Sequence, residues 1–123
     1  MNRFLMAAAL AVFLSAPAFA ATCKISEYQF VVRDQRNVVV LVAMEPPLAT
    51  QNITYTTTTQ SAKFNERTAF IRIVCDAKAH FVVGTDPSAD ANDPYLTADT
   101  PEYFGLPPNN AEDYEVAFYD GSS

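Results

Sequence analysis

The side chains that could support nucleophilic or acid–base catalysis are few. The chain has one histidine, His80, and two cysteines, Cys23 and Cys75. A catalytic thiol–imidazole pair would need Cys75 and His80 on one face across a turn, and strand alternation places His80 with Val82 and opposite Ala79. One histidine and two distant cysteines also fall short of a closed zinc site. These residues therefore predict neither thiol catalysis nor bound zinc.

Oxygen ligands are more abundant, and they cluster in one polar stretch. Asp86, Asp90, Asn92 and Asp93 lie close together, with Asp99 further along, and hard oxygen donors of this kind suit Ca²⁺. Their spacing lacks the glycine and the terminal glutamate of a calcium-binding loop. They are candidate calcium ligands, although a solvated acidic loop is the favoured interpretation. The sequence predicts no cofactor.

A carboxylate pair for glycoside cleavage is a further hypothesis, with Asp99, Glu102 and Glu112 as candidates. Such a pair needs a cleft, for which a small sandwich offers little wall. Nearby aromatic side chains could form a platform for a sugar or a protein, although filling the core is the favoured role. The aromatic residues are Tyr95, Tyr103, Phe104, Tyr114 and Tyr119. No Gly-x-Ser-x-Gly turn or glycine-rich phosphate loop occurs, so the chain is predicted not to be an enzyme.

β-strands must position these residues. Between residues 69 and 75 the side chains alternate, with Ile71, Ile73 and Cys75 on one face. Residues 76 to 78 interrupt the apolar run with turn-compatible types, and the run resumes from 79 to 83. The pattern predicts a hairpin with an apolar face, which other strands must cover because a lone hairpin is marginal.

Further strands are predicted on both sides of this passage. Glu27 to Arg33 is typical of a strand with Tyr28 and Phe30 on one face, and Asp34 to Asn37 suits a hairpin turn. Val38 to Met44 is a continuous apolar run, typical of a strand covered on both faces. Shorter strands are predicted at 52–59, 61–65, 95–97, 103–104 and 114–119.

No window shows a helical period. Roughly seven to nine short strands separated by turn signals predict an all-β fold. A single antiparallel β-sandwich or jelly-roll-like barrel over residues 21–123 is the expected architecture.

Residues 1–20 are typical of a secretory signal peptide. Arg3 supplies a positive charge, Phe4 to Leu14 is apolar, and Ala18-Phe19-Ala20 is a cleavage site. The segment is too short for a membrane span, and none is predicted later in the chain. Export to the periplasm or beyond permits a disulfide between Cys23 and Cys75. The alternative is a buried free Cys75 and an exposed free Cys23.

Charge is unevenly distributed along the chain. Residues 84–123 hold nine carboxylates and no Lys or Arg, whereas residues 21–83 hold seven basic and five acidic side chains. The resulting excess of negative charge disfavours nucleic acid and anionic membranes as partners. The acids either solvate loops or contact the basic part of a neighbouring copy.

One passage carries a resemblance. An Ile-Arg-Ile strand is followed by an Asp-Ala turn, by a strand ending Phe-Val-Val-Gly84-Thr-Asp-Pro87, and then by Tyr95-Leu-Thr-Ala-Asp-Thr-Pro-Glu-Tyr-Phe-Gly105. This order, over about residues 52–106, resembles small β-sandwich proteins of tailed bacteriophages, which include head-decoration-type virion proteins. The resemblance implies a fold and protein–protein association, because none of its motifs is catalytic.

Three hypotheses follow. The preferred one is a non-enzymatic assembly module that binds protein partners, including copies of itself as a homo-oligomer, in a virion or at a cell surface. The alternative is a secreted or periplasmic β-sandwich module that binds a glycan or protein ligand. A small hydrolase that uses Asp99 or Glu102 is the third.

Overall fold

The computed structural model describes residues 20–121. The predicted signal peptide therefore lies outside the described residues, apart from Ala20. Ten strands and one 3₁₀ turn make up the described fold. They are β1 (Ala21–Tyr28), β2 (Val31–Arg33), β3 (Val39–Ala43), β4 (Ala49–Tyr55), β5 (Thr59–Gln60), β6 (Phe70–Cys75), β7 (Ala79–Gly84), β8 (Tyr95–Leu96), β9 (Glu102–Gly105), the 3₁₀ turn Ala111–Asp113 and β10 (Glu115–Asp120). The all-β prediction is confirmed, since no α-helix occurs between residues 20 and 121.

The strands form three antiparallel sheets. The front sheet has the order β4-β1-β6-β9, and the back sheet has the order β5-β10-β7-β8. Strands β2 and β3 form a separate two-stranded ribbon, which with its flanking residues 30–44 is called the arm. The front and back sheets pack face to face as a sandwich, and the arm emerges from the end of β1.

The core between the two sheets is built from alternating positions. Ile71, Ile73 and Cys75 of β6 are buried while their neighbours are only half-buried, as the alternation predicts. Val116 and Phe118 of β10 face them from the back sheet and belong to the same buried cluster. Two aromatic pairs link the sheets, Tyr55 with Phe118 at 5.7 Å and Phe81 with Phe104 at 4.8 Å between ring centroids.

The prediction of a hairpin over residues 69–83 is wrong. Strands β6 and β7 lie in opposite sheets, where β6 pairs with β1 and β9 while β7 pairs with β10 and β8. The intervening residues bond to neighbouring strands: Asp76 N–H donates to Thr22 O at 3.0 Å, and Gly121 N–H donates to Lys78 O at 3.2 Å. The connection thus crosses the sandwich, and the two apolar faces meet across the core.

Two further strand predictions are corrected. The first strand begins at Ala21 and ends at Tyr28, so Phe30 does not share its face and is largely exposed. The apolar run Val38 to Met44 is not covered on both faces, because β3 pairs with β2 in the arm and Val39, Val40 and Val42 are between 39% and 55% exposed. A continuous apolar run does not show by itself whether anything in the same chain covers it.

Cys23 and Cys75 are direct partners in the register between β1 and β6. Their Cα atoms are 4.0 Å apart and their sulfur atoms are bonded, so the predicted disulfide is present and neither cysteine is free. Both side chains lie on the inner face beside Ile25 and Ile73. Because the bond closes a loop of 52 residues, the chain-entropy model assigns it about 4 kcal/mol of stability. Such bonds are typical of oxidising compartments.

Reduction of the disulfide should therefore weaken the sandwich. We expect dithiothreitol to lower the free energy of unfolding of residues 21–123 by about 2–4 kcal/mol. Urea unfolding measures this change from the transition midpoint and the slope m of the free energy against urea concentration. The double variant Cys23→Ala/Cys75→Ala is the control, and its midpoint should not respond to the reductant. An unchanged wild-type midpoint, with two free thiols confirmed by titration, would contradict the prediction.

Candidate functional site

The candidate calcium ligands form part of a loop that covers the outer face of the back sheet. Asp86 Oδ1 accepts a hydrogen bond from the Gln60 amide at 2.9 Å. Asp93 Oδ2 accepts from Asp90 N–H at 2.7 Å, and Asp90 Oδ1 accepts from Asn92 N–H at 2.8 Å. Asp86, Asp90 and Asp93 thus hold their own loop closed, and no group of three or more metal-ligating side chains forms within residues 20–121. The arrangement supports the structural interpretation of the loop.

His80 pins the same loop and is not paired with a thiol. Its Nδ1 lies 2.7 Å from the carbonyl oxygen of Asp93, so the ring donates to that carbonyl. The ring is buried between Tyr95 and Tyr119. Because Cys75 is disulfide-bonded, the thiol–imidazole pair weighed from the sequence does not exist.

The hydrolase carboxylates are not gathered into one cleft. Asp99 lies in a left-handed turn with φ of 59°, and its N–H donates to Cys75 O at 2.7 Å. It lines a shallow hollow of about 270 Å³ together with Asp76, and neither Glu102 nor Glu112 lines that hollow. Glu102 is exposed on the edge strand β9, and Glu112 is exposed in the 3₁₀ turn. Asp99 therefore shares that hollow with neither of the other two carboxylates.

The predicted aromatic set is divided between the two sheets. Tyr95 and Tyr119 flank His80 on the back sheet, and the Lys78 ammonium lies 4.2 Å from the Tyr95 ring centroid. Phe104 and Tyr114 pack against the core. Tyr103 alone turns to the outer face of the front sheet, where it is exposed. These residues do not form one platform.

A buried carboxylate that sequence reasoning missed is structural. Glu27 is almost completely buried, and its Oε1 accepts from the Thr68 hydroxyl at 2.8 Å and from Asn65 N–H at 2.7 Å. Those two hydrogen bonds offset the cost of burying a polar carboxyl group. Glu27 therefore fixes the turn before β6, and its carboxylate is engaged by those groups.

The arm is the least expected surface of the protein. Among its described side chains, six large apolar ones are between 39% and 58% exposed. They are Phe30, Val38, Val39, Val40, Val42 and Met44. Both faces of β3 contribute, because side chains alternate along a strand and Val39 lies on the face opposite to Val40 and Val42. Burial of each of these half-exposed side chains against a partner would contribute about 1 kcal/mol to the free energy of binding.

A basic turn closes the tip of the arm. Asp34 Oδ1 accepts from the N–H groups of Arg36 and Val38 at 2.8 and 2.9 Å, and Asn37 adopts a left-handed φ of 62°. The predicted turn at Asp34 to Asn37 is thus confirmed. Because the Asp34 carboxylate is used by the backbone, Arg33 and Arg36 give the tip its outward charge. Arg33 Nη1 donates only to Asn37 O, at 3.3 Å, among the contacts of the described chain.

An apolar groove lies beside the base of the arm. It has a volume of about 350 Å³. Val31 and Ala43 of the arm line one side, and Phe70, Tyr103, Phe104 and Gly105 of β6 and β9 line the other. Tyr28, Phe70 and Tyr103 form a continuous aromatic row there, with centroid separations of 5.3 and 6.4 Å. The groove thus shares Val31 and Ala43 with the base of the arm, whereas Phe30 and Met44 line a second hollow.

Tyr28 fastens the arm to the sandwich. Its hydroxyl donates to Glu45 Oε1 at 2.7 Å, and its ring stacks on Phe70. Burial, together with the bond to Glu45 and the negative charge of Glu45, raises the pKa of Tyr28 above its usual value. Burial also raises the pKa of Tyr55 to about 12, with contributions from the charges of Asp120 and Asp76. The Tyr55 hydroxyl has no hydrogen-bond partner among residues 20–121.

Comparison with known proteins adds no neighbour: no family model, curated protein or solved structure matches this chain. Within the described residues, no helix is long and apolar enough to cross a membrane.

Removing the Tyr28 donor should loosen the arm selectively. We expect Tyr28→Phe to raise amide hydrogen exchange of the arm, at Val38 and Met44, by about three- to tenfold at pH 7, which corresponds to about 1 kcal/mol for one lost hydrogen bond. Amides of β6 should not change. Tyr55→Phe is the matched control and should leave exchange of the arm unchanged. Equal acceleration in both variants would contradict the anchoring role.

Alkaline pH should have the same effect on the wild type. The pKa of Tyr28 is raised in the folded chain. The hydrogen bond to Glu45 therefore contributes stability that is fully present below about pH 10 and is lost as the pH rises through the raised pKa. Methyl NMR of the arm valines, recorded between pH 8 and 12, should show this loss in the wild type and its absence in Tyr28→Phe.

Proposed function

We propose that the protein is an exported, non-enzymatic assembly module that acts by binding protein through its arm. The observation that carries the proposal is the exposure of six large apolar side chains on one small ribbon. Clusters of exposed large apolar side chains on a small element mark interaction sites in many proteins. The resemblance of residues 52–106 to head-decoration-type proteins of tailed phages supports the same class of function.

The organisation of the charged residues agrees with this proposal. The carboxylates Asp86, Asp90 and Asp93 serve the loop, and Glu27 serves the core, so these acids act in the scaffold. The signal peptide predicted over residues 1–20 and the disulfide between Cys23 and Cys75 support a role outside the cytoplasm. A cell-surface assembly is the setting that fits both features.

Association should be measurable on the mature chain. We expect residues 21–123 to form an oligomer or to bind a particle in sedimentation and light-scattering experiments between 1 and 100 µM. Val40→Asp/Val42→Asp should weaken association at least tenfold, because it places two charges on a surface that association would bury. Thr56→Asp/Thr57→Asp, in the exposed bend after β4, is the charge-matched control. A strict monomer that binds no particle would contradict the proposal.

The groove supports a second candidate function, a glycan- or protein-binding module. Its volume of about 350 Å³ falls within the range of ligand sites, and Tyr103 offers an exposed ring on its rim. For this function we expect saturable binding of chitotriose or maltotriose by calorimetry. Tyr103→Ala should abolish that binding, whereas Tyr95→Ala, an equally exposed tyrosine at 55% on the opposite sheet, should not. If neither sugar produced a measurable heat of binding in the calorimeter, the result would count against a glycan site.

A further inference from the structure

We infer that the partner of the arm is a second copy of this chain, and that two copies exchange arms about a two-fold axis so that each arm lies in the groove of the other. This inference rests on the proposed function, because it names the partner of the same surface. It assigns the arm and the groove as the two halves of one self-complementary interface.

The position of the groove is the first argument. Val31 and Ala43 are register partners at the base of the arm, and both line the groove. The arm, with its exposed apolar side chains, and the apolar groove therefore lie side by side on the same molecule. A two-fold interface requires this arrangement, because the same patch must contact itself and each half must meet its complement. An arm that bound only a foreign partner would not need a groove at its own base.

The strand edges are the second argument. Strand β9 is the last strand of the front sheet, and within the described chain its only strand partner is β6. The arm consists of two strands, so each of its strands also has one unpaired edge. Edges of this kind accept strands from another chain. An arm placed in the neighbouring groove would bring its free edge close to β9 while burying its valines against Phe70 and Tyr103.

Charge complementarity is the third argument, and it favours a copy of this chain over an unrelated acidic partner. The arm tip carries Arg33 and Arg36, and neither is paired with a carboxylate among the described residues. Glu102 is exposed on β9 and precedes the groove residue Tyr103, within the segment 84–123 that holds nine carboxylates and no basic side chain. The tip of one arm would therefore meet the acidic half of its partner.

Net repulsion between the copies does not overturn this arrangement. From residue 21 onward, fourteen acidic side chains face seven basic ones, so two copies repel at long range. At physiological ionic strength the Debye length is about 8 Å, which screens charges on opposite sides of the bodies. Pairs between the arm tip and β9 would be in contact and much less screened. Local complementarity therefore decides the orientation, and burial of the apolar side chains supplies the attraction.

Complementation between two variants tests the exchange. Val40→Asp/Val42→Asp damages the arm and leaves the groove intact, whereas Tyr103→Asp damages the groove and leaves the arm intact. In a two-fold exchange, a homodimer of either variant has two damaged arm–groove contacts. A mixed pair retains one intact contact, in which the wild-type arm of one copy meets the wild-type groove of the other. We expect each variant to be monomeric at concentrations where the wild type is a dimer, and an equimolar mixture to recover a heterodimer by native mass spectrometry.

A second pair of variants guards against misfolding. Arg33→Glu/Arg36→Glu and Glu102→Lys alter exposed charges only, and each should weaken the homodimer by about tenfold while their mixture recovers part of the affinity. Thermal unfolding of every variant should match the wild type within a few degrees.

The outcomes separate this inference from the proposed function. If the wild type associates and arm variants abolish association, but Tyr103→Asp and Glu102→Lys associate like the wild type, the arm binds protein and the exchange is wrong. Assemblies that grow beyond a dimer without closing would also overturn the two-fold axis. A wild type that neither self-associates nor binds a particle overturns both proposals.

Discussion

The pairing of β1 with β6 is the constraint on which the remaining structure depends. Strand β1 is held on one side by β4 and on the other by β6, so the front sheet cannot form without it. Its inner side chains, Cys23, Ile25 and Glu27, respectively form the disulfide, fill the core and fix the turn before β6. Its last residue, Tyr28, stacks on Phe70 and holds Glu45. One strand thus connects the covalent bond, the apolar core and the base of the arm.

The polar residues of the protein mostly serve this framework. His80 and the loop at residues 86–93 close the outer face of the back sheet, and the Gln60 amide holds that loop through Asp86 and the carbonyl of Pro87. A sandwich this small has few layers, so even its outer face gains from being covered by a loop. The carboxylates of Asp86, Asp90 and Asp93, which suggested metal binding, accept hydrogen bonds that hold this loop.

The arm differs from the rest of the molecule in what covers it. In the sandwich, the inner apolar side chains of one sheet meet those of the other, whereas Val39, Val40 and Val42 of β3 meet solvent. The Asp34 turn and the Tyr28 anchor define the two ends of the ribbon, and the groove beside it has a matching apolar lining. A ribbon that is well defined at both ends but uncovered along its length is suited to a surface that a partner completes.

Local geometry explains what the sequence determined by itself. Alternation along residues 69–75 identifies the inner face of β6 because successive side chains of a strand point to opposite faces, and Asp34 to Asn37 forms a turn through its own side chain and backbone. The even number of cysteines, together with the predicted signal peptide, favours their pairing. Each of these features depends on residues close in sequence or on residue type alone.

The tertiary structure alone decided which surfaces meet. Strands β6 and β7 share an apolar pattern that a hairpin and a crossing between sheets satisfy equally well, and contacts with β1 and β10, distant in sequence, select the crossing. The run Val38 to Met44 is the sharpest case, since its composition predicts burial and the fold leaves its three valines in β3, Val38 and Met44 between 39% and 58% exposed. Hydrophobicity states that a strand favours burial, whereas only the arrangement of the whole chain determines whether the covering surface belongs to the same molecule.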